Sequence, residues 1–207
     1  MKFNKNILDK LAKDKGWISP SHEKTIQDIE NLVKLTSLRE DQDNNLLEFG
    51  FGNARSTYLL SPYFKNIVGV ESETKNGWRD SHACKTVKKE LGDKFNTYYS
   101  CSKEDIKKKP FYKENCYDYV CFFNICYSKQ SKFNSYNSIE EFINGYVCNI
   151  EDLTYMIKDG GYVYFTFLLQ KEHQSNNKWN MLEILDKDEN IKLVSSSNTT
   201  CLMRIDK

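Results

Sequence analysis

The chain lacks a surplus of charge of either sign, a long apolar run and any closely spaced pair of cysteines. Its 207 residues include 30 lysines and arginines against 29 aspartates and glutamates, so no global positive field draws it to nucleic acid. No run approaches the roughly 18 apolar residues that a membrane span requires. These absences argue against a membrane protein and against a strongly basic nucleic-acid binder, and they leave only a local basic face open.

The seven cysteines do not form a disulfide or metal-binding pattern. Their number is odd, no Cys-x-x-Cys pair occurs, and Cys121 falls inside a predicted strand. The first residues include Lys2 and Lys5 but no apolar signal core. We therefore expect reduced thiols, no bound metal and a cytoplasmic or nuclear location. Nucleophile-elbow, phosphate-binding Gly-Lys-Ser/Thr and zinc-binding His-Glu-x-x-His motifs are also absent from the sequence.

Apolar segments alternate with helical patterns along most of the chain, which is typical of βαβ units and a mostly parallel sheet. The last two strands are joined by only a few residues, so they must be antiparallel to each other. The prediction is a doubly wound α/β fold with helices on both faces and a C-terminal antiparallel hairpin. Strands are predicted at 46–49, 67–70, 97–100, 117–123, 162–169, 191–195 and 201–205, and helices at 3–14, 21–35, 56–60, 81–91, 138–153 and 178–185.

The most informative segment joins the first two predicted strands. The first strand ends in Glu48 and is followed by the turn Gly50-Phe-Gly52, and the second strand ends in Glu71. The glycines let the backbone approach a ligand that a Cβ atom would push away. The second carboxylate stands where it can accept hydrogen bonds from both hydroxyls of a ribose. This order indicates a nucleoside-binding sheet.

Two nucleoside cofactors use such a turn. A dinucleotide favours a third glycine, where this chain has Arg55. A carboxylate at Glu48 would repel a pyrophosphate and attract an ammonium or a sulfonium, charges that S-adenosylmethionine carries. The negative charge of Glu48 therefore favours S-adenosylmethionine as the cofactor. A dinucleotide-dependent oxidoreductase that binds NAD stays as an alternative.

The segments Glu48-Phe-Gly-Phe-Gly-Asn-Ala54, Val68-Gly-Val-Glu71, Tyr117–Tyr127 and Gly160-Gly-Tyr162 resemble the ordered motifs of class I S-adenosylmethionine-dependent methyltransferases, over about residues 20–205. Ala54 replaces the commoner third glycine. The resemblance implies a seven-stranded, Rossmann-like domain at 46–207 and an N-terminal helical segment at 1–45 that covers the cofactor site. It also implies cofactor contacts from Glu48, Phe49, Gly50, Gly52, Glu71, Asp105 and Phe123. Asp105 or Glu104 would receive the adenine amino group, and the alternative for either is a helix N-cap.

Asn124-Ile-Cys-Tyr127, at the end of the fourth predicted strand, is similar to two groups of enzymes. Nucleobase amino-methyltransferases carry Asn-Pro-Pro-Tyr or Asn-Ile-Pro-Tyr there, and non-SET-domain histone-lysine methyltransferases carry asparagine with aromatic residues. The segment from Ser19 to Thr25 loosely resembles a loop of the second group. These likenesses imply that Asn124, Tyr127 and Glu23 orient an amine acceptor on a protein or nucleic acid. A catalytically inactive scaffold is the alternative, and the oligomeric state stays open.

Overall fold

Seven strands form one sheet in the order β3-β2-β1-β4-β5-β7-β6. The computed structural model describes residues 4–13, 22–40, 42–71, 82–99, 105–127, 150–169, 189–197 and 199–207, with the backbone alone at 82, 124–127 and 167–169. The strands are β1 (Asn45–Phe49), β2 (Asn66–Glu71), β3 (Phe95–Tyr99), β4 (Tyr117–Tyr127), β5 (Ile157–Leu169), β6 (Ile191–Ser196) and β7 (Thr200–Ile205). The first five strands pair in parallel, while β7 runs antiparallel to both β5 and β6. The predicted fold class and the C-terminal hairpin are confirmed.

The strand order places a topological switch point between β1 and β4. From β1 the chain proceeds outward to β2 and β3, and it then returns to β4 on the other side of β1. Ligands of open α/β sheets bind in the crevice at the carboxyl ends of the strands beside such a reversal. In this chain the crevice lies next to Phe49, Glu71 and Phe122, because Phe49 pairs with Phe122 and β2 ends at Glu71.

The structure describes five helices, and each overlaps a helix predicted from the sequence. They are α1 (Lys5–Lys13), α2 (His22–Thr36), α3 (Arg55–Leu60), α4 (His82–Leu91) and α5 (Ile150–Met156), with short 3-10 helices at Ser61–Tyr63, Gly92–Lys94 and Ile106–Lys108. The predicted helix at 178–185 and the predicted helix start at 138–149 lie outside the described residues. Within the described ranges, no helix has the length and apolar character needed to cross a membrane.

Each face of the sheet has its own apolar core, as a parallel sheet requires. Side chains alternate along β1, so Leu46 packs among the helices α1 to α4 on one face, while Leu47 and Phe49 pack on the other face with Ile106 and Met156. Glu48 points to the same face as Leu46. A carboxylate therefore enters the α1–α4 layer from β1, an interior strand between β2 and β4.

Two strands run further than predicted. β5 begins at Ile157, so the predicted turn Asp159-Gly-Gly161 lies inside the strand, where the pairing with β4 shifts between Tyr117–Ile157 and Tyr119–Tyr162. A Cβ atom on Gly161 would lie 2.9 Å from the Lys158 carbonyl oxygen, so this irregular segment requires glycine. β4 continues to Tyr127 through a second register shift between Phe122 and Ile125. Asn124 therefore sits at an irregularity within the strand, a feature that often accompanies active sites.

Candidate functional site

The loop from β1 to α3 folds back tightly over the end of β2. Gly50 has a φ of 73° and its N–H donates to the Val70 carbonyl over 2.8 Å. Gly52 and Ala54 are also left-handed, with φ values of 52° and 62°, and the Ala54 N–H donates to the Phe51 carbonyl over 2.8 Å. Glycine adopts this conformation at little cost, which explains the sequence pattern at two of the three positions.

Glu71 joins the end of β2 to this loop. Its Oε2 atom accepts a hydrogen bond from the Gly52 N–H at 2.8 Å, and the residue is only 7% exposed. A Cβ atom built on Gly52 would meet no atom within 4 Å. The loop therefore presents an open backbone surface next to a buried carboxylate. The structure places these two predicted cofactor residues together.

Glu48 is fully buried beneath the loop. Its carboxylate accepts hydrogen bonds from the hydroxyls of Ser56 and Thr57 in the first turn of α3, the second at 2.6 Å. Burial raises the pKa of Glu48 from its ordinary 4.5 to about 7; the Ser56 and Thr57 bonds oppose this rise and the charge of Glu71 adds to it. Glu48 thus fixes α3 to β1. Sequence reasoning identified Glu48 but missed the two hydroxyls, whose only signal is their place in the first turn after the glycines.

Phe51, between the two loop glycines, is a second feature that sequence reasoning missed. Its ring packs edge-on against Phe95 at 5.5 Å and against Tyr99 at 5.6 Å between ring centres. A Cβ atom on Gly69 in β2 would lie 2.7 Å from both the Phe51 and Phe95 rings. Gly69 therefore makes room for Phe51, which anchors the loop to β2 and β3.

The remaining predicted cofactor residues lie at different depths. Phe49 is fully buried and stacks on Phe122 at 5.0 Å, and Phe123, 5% exposed, packs edge-on against Tyr164. Asp105 occupies the N-cap position of the 3-10 helix Ile106–Lys108, but its carboxylate makes no cap bond and pairs instead with Lys108 at 3.1 Å. Glu104 lies outside the described residues. The cofactor roles of Phe49, Phe123 and Asp105 stay predictions.

The first turn of α2 reaches the same edge of the sheet as the glycine loop. Burial and the charge of Arg55 lower the pKa of His22, while the charge of Glu23 raises it, so these three side chains are near neighbours. Further along α2, the Asp28 carbonyl oxygen accepts a hydrogen bond from the Tyr164 hydroxyl at 3.0 Å. Glu23 is thereby brought to the carboxyl edge of the sheet, where the backbone of β4 also carries Asn124. Tyr127 lies further along β4.

Asn53 and Arg55 connect the glycine loop to the N-terminal helices. Asn53 Oδ1 accepts the Arg55 N–H at 3.2 Å, and the Arg55 guanidinium donates to the Leu11 carbonyl in α1 at 2.6 Å. Asn53 Nδ2 and His22 Nδ1 are buried atoms with no hydrogen-bond partner among the described residues. A buried amide donor left in this state costs about 1–3 kcal/mol.

We expect replacement of Ala54 by glycine to be nearly neutral for the free energy of unfolding. Ala54 is buried and left-handed, and relief of about 1–2 kcal/mol of backbone strain offsets the lost methyl group and the added chain entropy. The matched control Ala83→Gly, in α4, has no such strain to relieve and should lose about 1.5 kcal/mol. Urea denaturation of both variants measures the contrast. Equal losses would mean that the third loop position does not favour glycine.

The architecture is shared with solved methyltransferases. The N-methyltransferase NodS from Bradyrhizobium japonicum, in complex with S-adenosylhomocysteine, is 14% identical, with a TM-score of 0.59 over 98% of this chain and 97% of that chain. An rRNA methylase from Streptococcus thermophilus is 12% identical, with a TM-score of 0.54 over 87% and 97%. A SAM-dependent methyltransferase from Aquifex aeolicus is 14% identical, with a TM-score of 0.53 over 99% and 98%. No family model and no curated protein sequence matches the chain.

These likenesses establish the fold. The chain has the α/β fold of the class I S-adenosylmethionine-dependent methyltransferases, as the order of its sequence motifs predicts.

Proposed function

We propose that the protein is an S-adenosylmethionine-dependent methyltransferase. The observation that carries this proposal is the hydrogen bond from the Gly52 N–H to the Glu71 carboxylate, at 2.8 Å, beside the switch point of a methyltransferase-like sheet. This bond joins a glycine backbone with open space beside it to a buried acid. A nucleoside that carries an amino acid needs both, because the backbone must let the ligand approach and the acid must accept the ribose hydroxyls. A pyrophosphate would instead meet the carboxylate of Glu71 at this loop.

The residues present fit the cofactor. Glu71 would accept the two ribose hydroxyls, and the open backbone at Gly52 leaves room for the ligand. The buried amide nitrogen of Asn53 has no hydrogen-bond partner among the described residues, which supports a polar ligand group beside the loop. When bound, S-adenosylmethionine supplies a methyl group already activated by its sulfonium. The protein then has to bind it, exclude water and align the acceptor.

The proposed acceptor is an amine nitrogen on a protein or a nucleic acid. Asn124 lies at the irregularity of β4 near the carboxyl edge, and Glu23 lies in the first turn of α2 beside the glycine loop. In this proposal the amide of Asn124 orients the amine, Glu23 accepts its proton and Tyr127 packs on the acceptor. NodS, a neighbour in fold, is by name an N-methyltransferase, and another neighbour is an rRNA methylase.

Calorimetric titration with S-adenosylmethionine, S-adenosylhomocysteine and NAD tests the cofactor. We expect micromolar affinity for the two sulfur nucleosides and no binding of NAD. Incubation of the protein with radiolabelled S-adenosylmethionine and a cell extract then tests the acceptor. Label that a nuclease releases identifies a nucleic acid as the acceptor, and label that a protease releases identifies a protein. A folded protein that binds none of the three ligands would contradict the proposal.

A matched pair of glycine variants tests whether the glycine loop is the binding surface. Gly52 and Gly92 have nearly the same φ, 52° and 54°, and a Cβ atom meets nothing within 4 Å at either. Gly52→Ala and Gly92→Ala should therefore lose similar stability, about 1 kcal/mol. Only Gly52→Ala should weaken S-adenosylhomocysteine binding, by about tenfold, because Gly92 precedes β3 at the opposite edge of the sheet. Equal affinities in the two variants would place the site elsewhere.

A further inference from the structure

Asp28 places a second buried carboxylate in the helical layer, away from the glycine loop. The residue is 2% exposed, and its two carboxylate oxygens accept hydrogen bonds from Lys24 Nζ at 2.8 and 2.9 Å. The hydroxyl of Thr166, a fully buried residue of β5, also donates to this carboxylate. The Asp28 side chain therefore joins α2 to β5 through a small polar cluster of Asp28, Lys24 and Thr166.

This polar cluster lies near the carboxyl edge of the sheet. Thr166 follows the residue of β5 that pairs with Phe122 and precedes the residue that pairs with Ile125, so it lies beside the second register shift of β4. Asn124 occupies that same irregularity. The Asp28 carboxylate is therefore on the part of the sheet where the proposed acceptor binds.

The two halves of the ion pair differ in their access to solvent. Burial raises the pKa of Asp28, while the bonds from Lys24 and Thr166 and the charge of Lys24 oppose the rise. The Lys24 side chain is 29% exposed, against 3% for Asp28, and it belongs to the same turn of α2 as Glu23, nearer the edge. A buried ion pair adds little to stability compared with apolar side chains. The carboxylate thus requires a cation, whereas the ammonium of Lys24 can return to solvent.

The chemistry of the cluster selects one class of ligand. An aliphatic amine is protonated at neutral pH, as lysine is, and its ammonium can donate to both oxygens of Asp28 as Lys24 does. Such an exchange leaves the charge of the cluster unchanged. The exocyclic amines of nucleobases are uncharged, and the phosphates of a nucleic acid are negative, so neither replaces the ammonium of Lys24.

We propose that Asp28 binds the ammonium group of a cationic aliphatic amine acceptor, such as a lysine side chain of a protein, in exchange for the ammonium of Lys24. The proposal rests on the proposed function and narrows its acceptor, which was an amine on a protein or a nucleic acid. Lys24 then stands in for the acceptor when none is bound, and Thr166 holds the carboxylate toward the edge of the sheet.

Binding of n-butylammonium, with uncharged 1-butanol as the control ligand, tests the cation site by NMR titration. Lys24→Met removes the internal ammonium, and we expect it to bind n-butylammonium about tenfold or more tightly than the wild type does. Adding Asp28→Asn, which keeps an oxygen for the Thr166 hydroxyl, should abolish this gain. Glu30→Gln removes an exposed negative charge from α2 and should bind as the wild type does. The affinity for 1-butanol should be the same in all four proteins.

Asp28→Asn alone supplies a second test, because Lys24→Met leaves a buried carboxylate without its cation and can fail to fold. In the single variant the Lys24 ammonium is free to turn to solvent. With radiolabelled S-adenosylmethionine and cell extract, we expect the wild type to give label that a protease releases. Asp28→Asn should lower this label by about tenfold or more and leave the affinity for S-adenosylhomocysteine within threefold.

Three results would overturn the cation site: no gain of n-butylammonium binding in folded Lys24→Met, unchanged methyl transfer in Asp28→Asn, or label that only a nuclease releases. The n-butylammonium titration is done without a cofactor, so its outcome does not depend on the proposed function. Failure of the wild type to bind S-adenosylhomocysteine would contradict the proposed function and, with it, the acceptor role of Asp28.

Discussion

Replacement of Glu71 by glutamine is expected to weaken S-adenosylhomocysteine binding by about 100-fold while the glycine loop stays folded. Glutamine keeps one oxygen to accept the Gly52 N–H, which the wild-type carboxylate accepts at 2.8 Å. Its other end is a donor, so the variant cannot accept both ribose hydroxyls. A hydrogen bond to a charged group contributes about 1.5–3 kcal/mol, and about 2.7 kcal/mol corresponds to 100-fold in affinity. Calorimetric titration measures the loss.

The control for this variant removes a negative charge elsewhere. Glu90 is an exposed glutamate in α4, and Glu90→Gln should bind the ligand as the wild type does. The 2′-deoxy form of S-adenosylhomocysteine adds a ligand control. The wild type should strongly prefer the ribose form, and Glu71→Gln should have lost most of that preference. An affinity within threefold of the wild type would show that Glu71 supports the loop without holding the ribose.

Most of the fold follows from local patterns in the sequence. Every strand of the sheet was predictable, because both faces are covered and an apolar run between turn residues then marks a strand. The glycine loop was also predictable, since the positive φ values at Gly50 and Gly52 depend on the residues themselves. The start of β5 was not. Its pairing with β4 across Gly160 and Gly161 depends on cross-strand register, which no local window contains.

The site shows the same division between local and tertiary information. The order of Glu48, the glycines and Glu71 is visible in the sequence, whereas their neighbours are not. Ser56 and Thr57 become partners of Glu48 only when α3 folds back over β1. The buried amide nitrogen of Asn53, which has no partner among the described residues, is likewise a property of the folded loop, because the Arg55 N–H sets the orientation of the amide. The sequence thus identifies the acids of the site but neither their burial nor their hydrogen-bond partners.

Burial of Glu48 leads to the largest expected effect on stability. The folded-state pKa is about 7, against an ordinary 4.5, so between these values the folded state holds a proton that the unfolded state has released. The contribution of Glu48 to stability is fully present below pH 4.5 and is lost as the pH rises through about 7. The interval corresponds to about 3 kcal/mol. Glu48→Gln removes the titration and keeps a side chain that can bond both hydroxyls, because the hydroxyl groups can donate or accept.

We therefore expect Glu48→Gln to match the wild type near pH 4.5 and to be more stable by up to about 3 kcal/mol at pH 8, measured by urea denaturation at both pH values. Other titrating groups, including Asp28, are common to both proteins and cancel in the difference. Glu30→Gln, at an exposed position in α2, controls for loss of one charge. A stability difference that is the same at both pH values would mean that burial does not hold the proton on Glu48. If the pH dependence is seen, Glu48 is only partly ionised at neutral pH. Its full negative charge, which favours a sulfonium over a pyrophosphate, is then present only above pH 7.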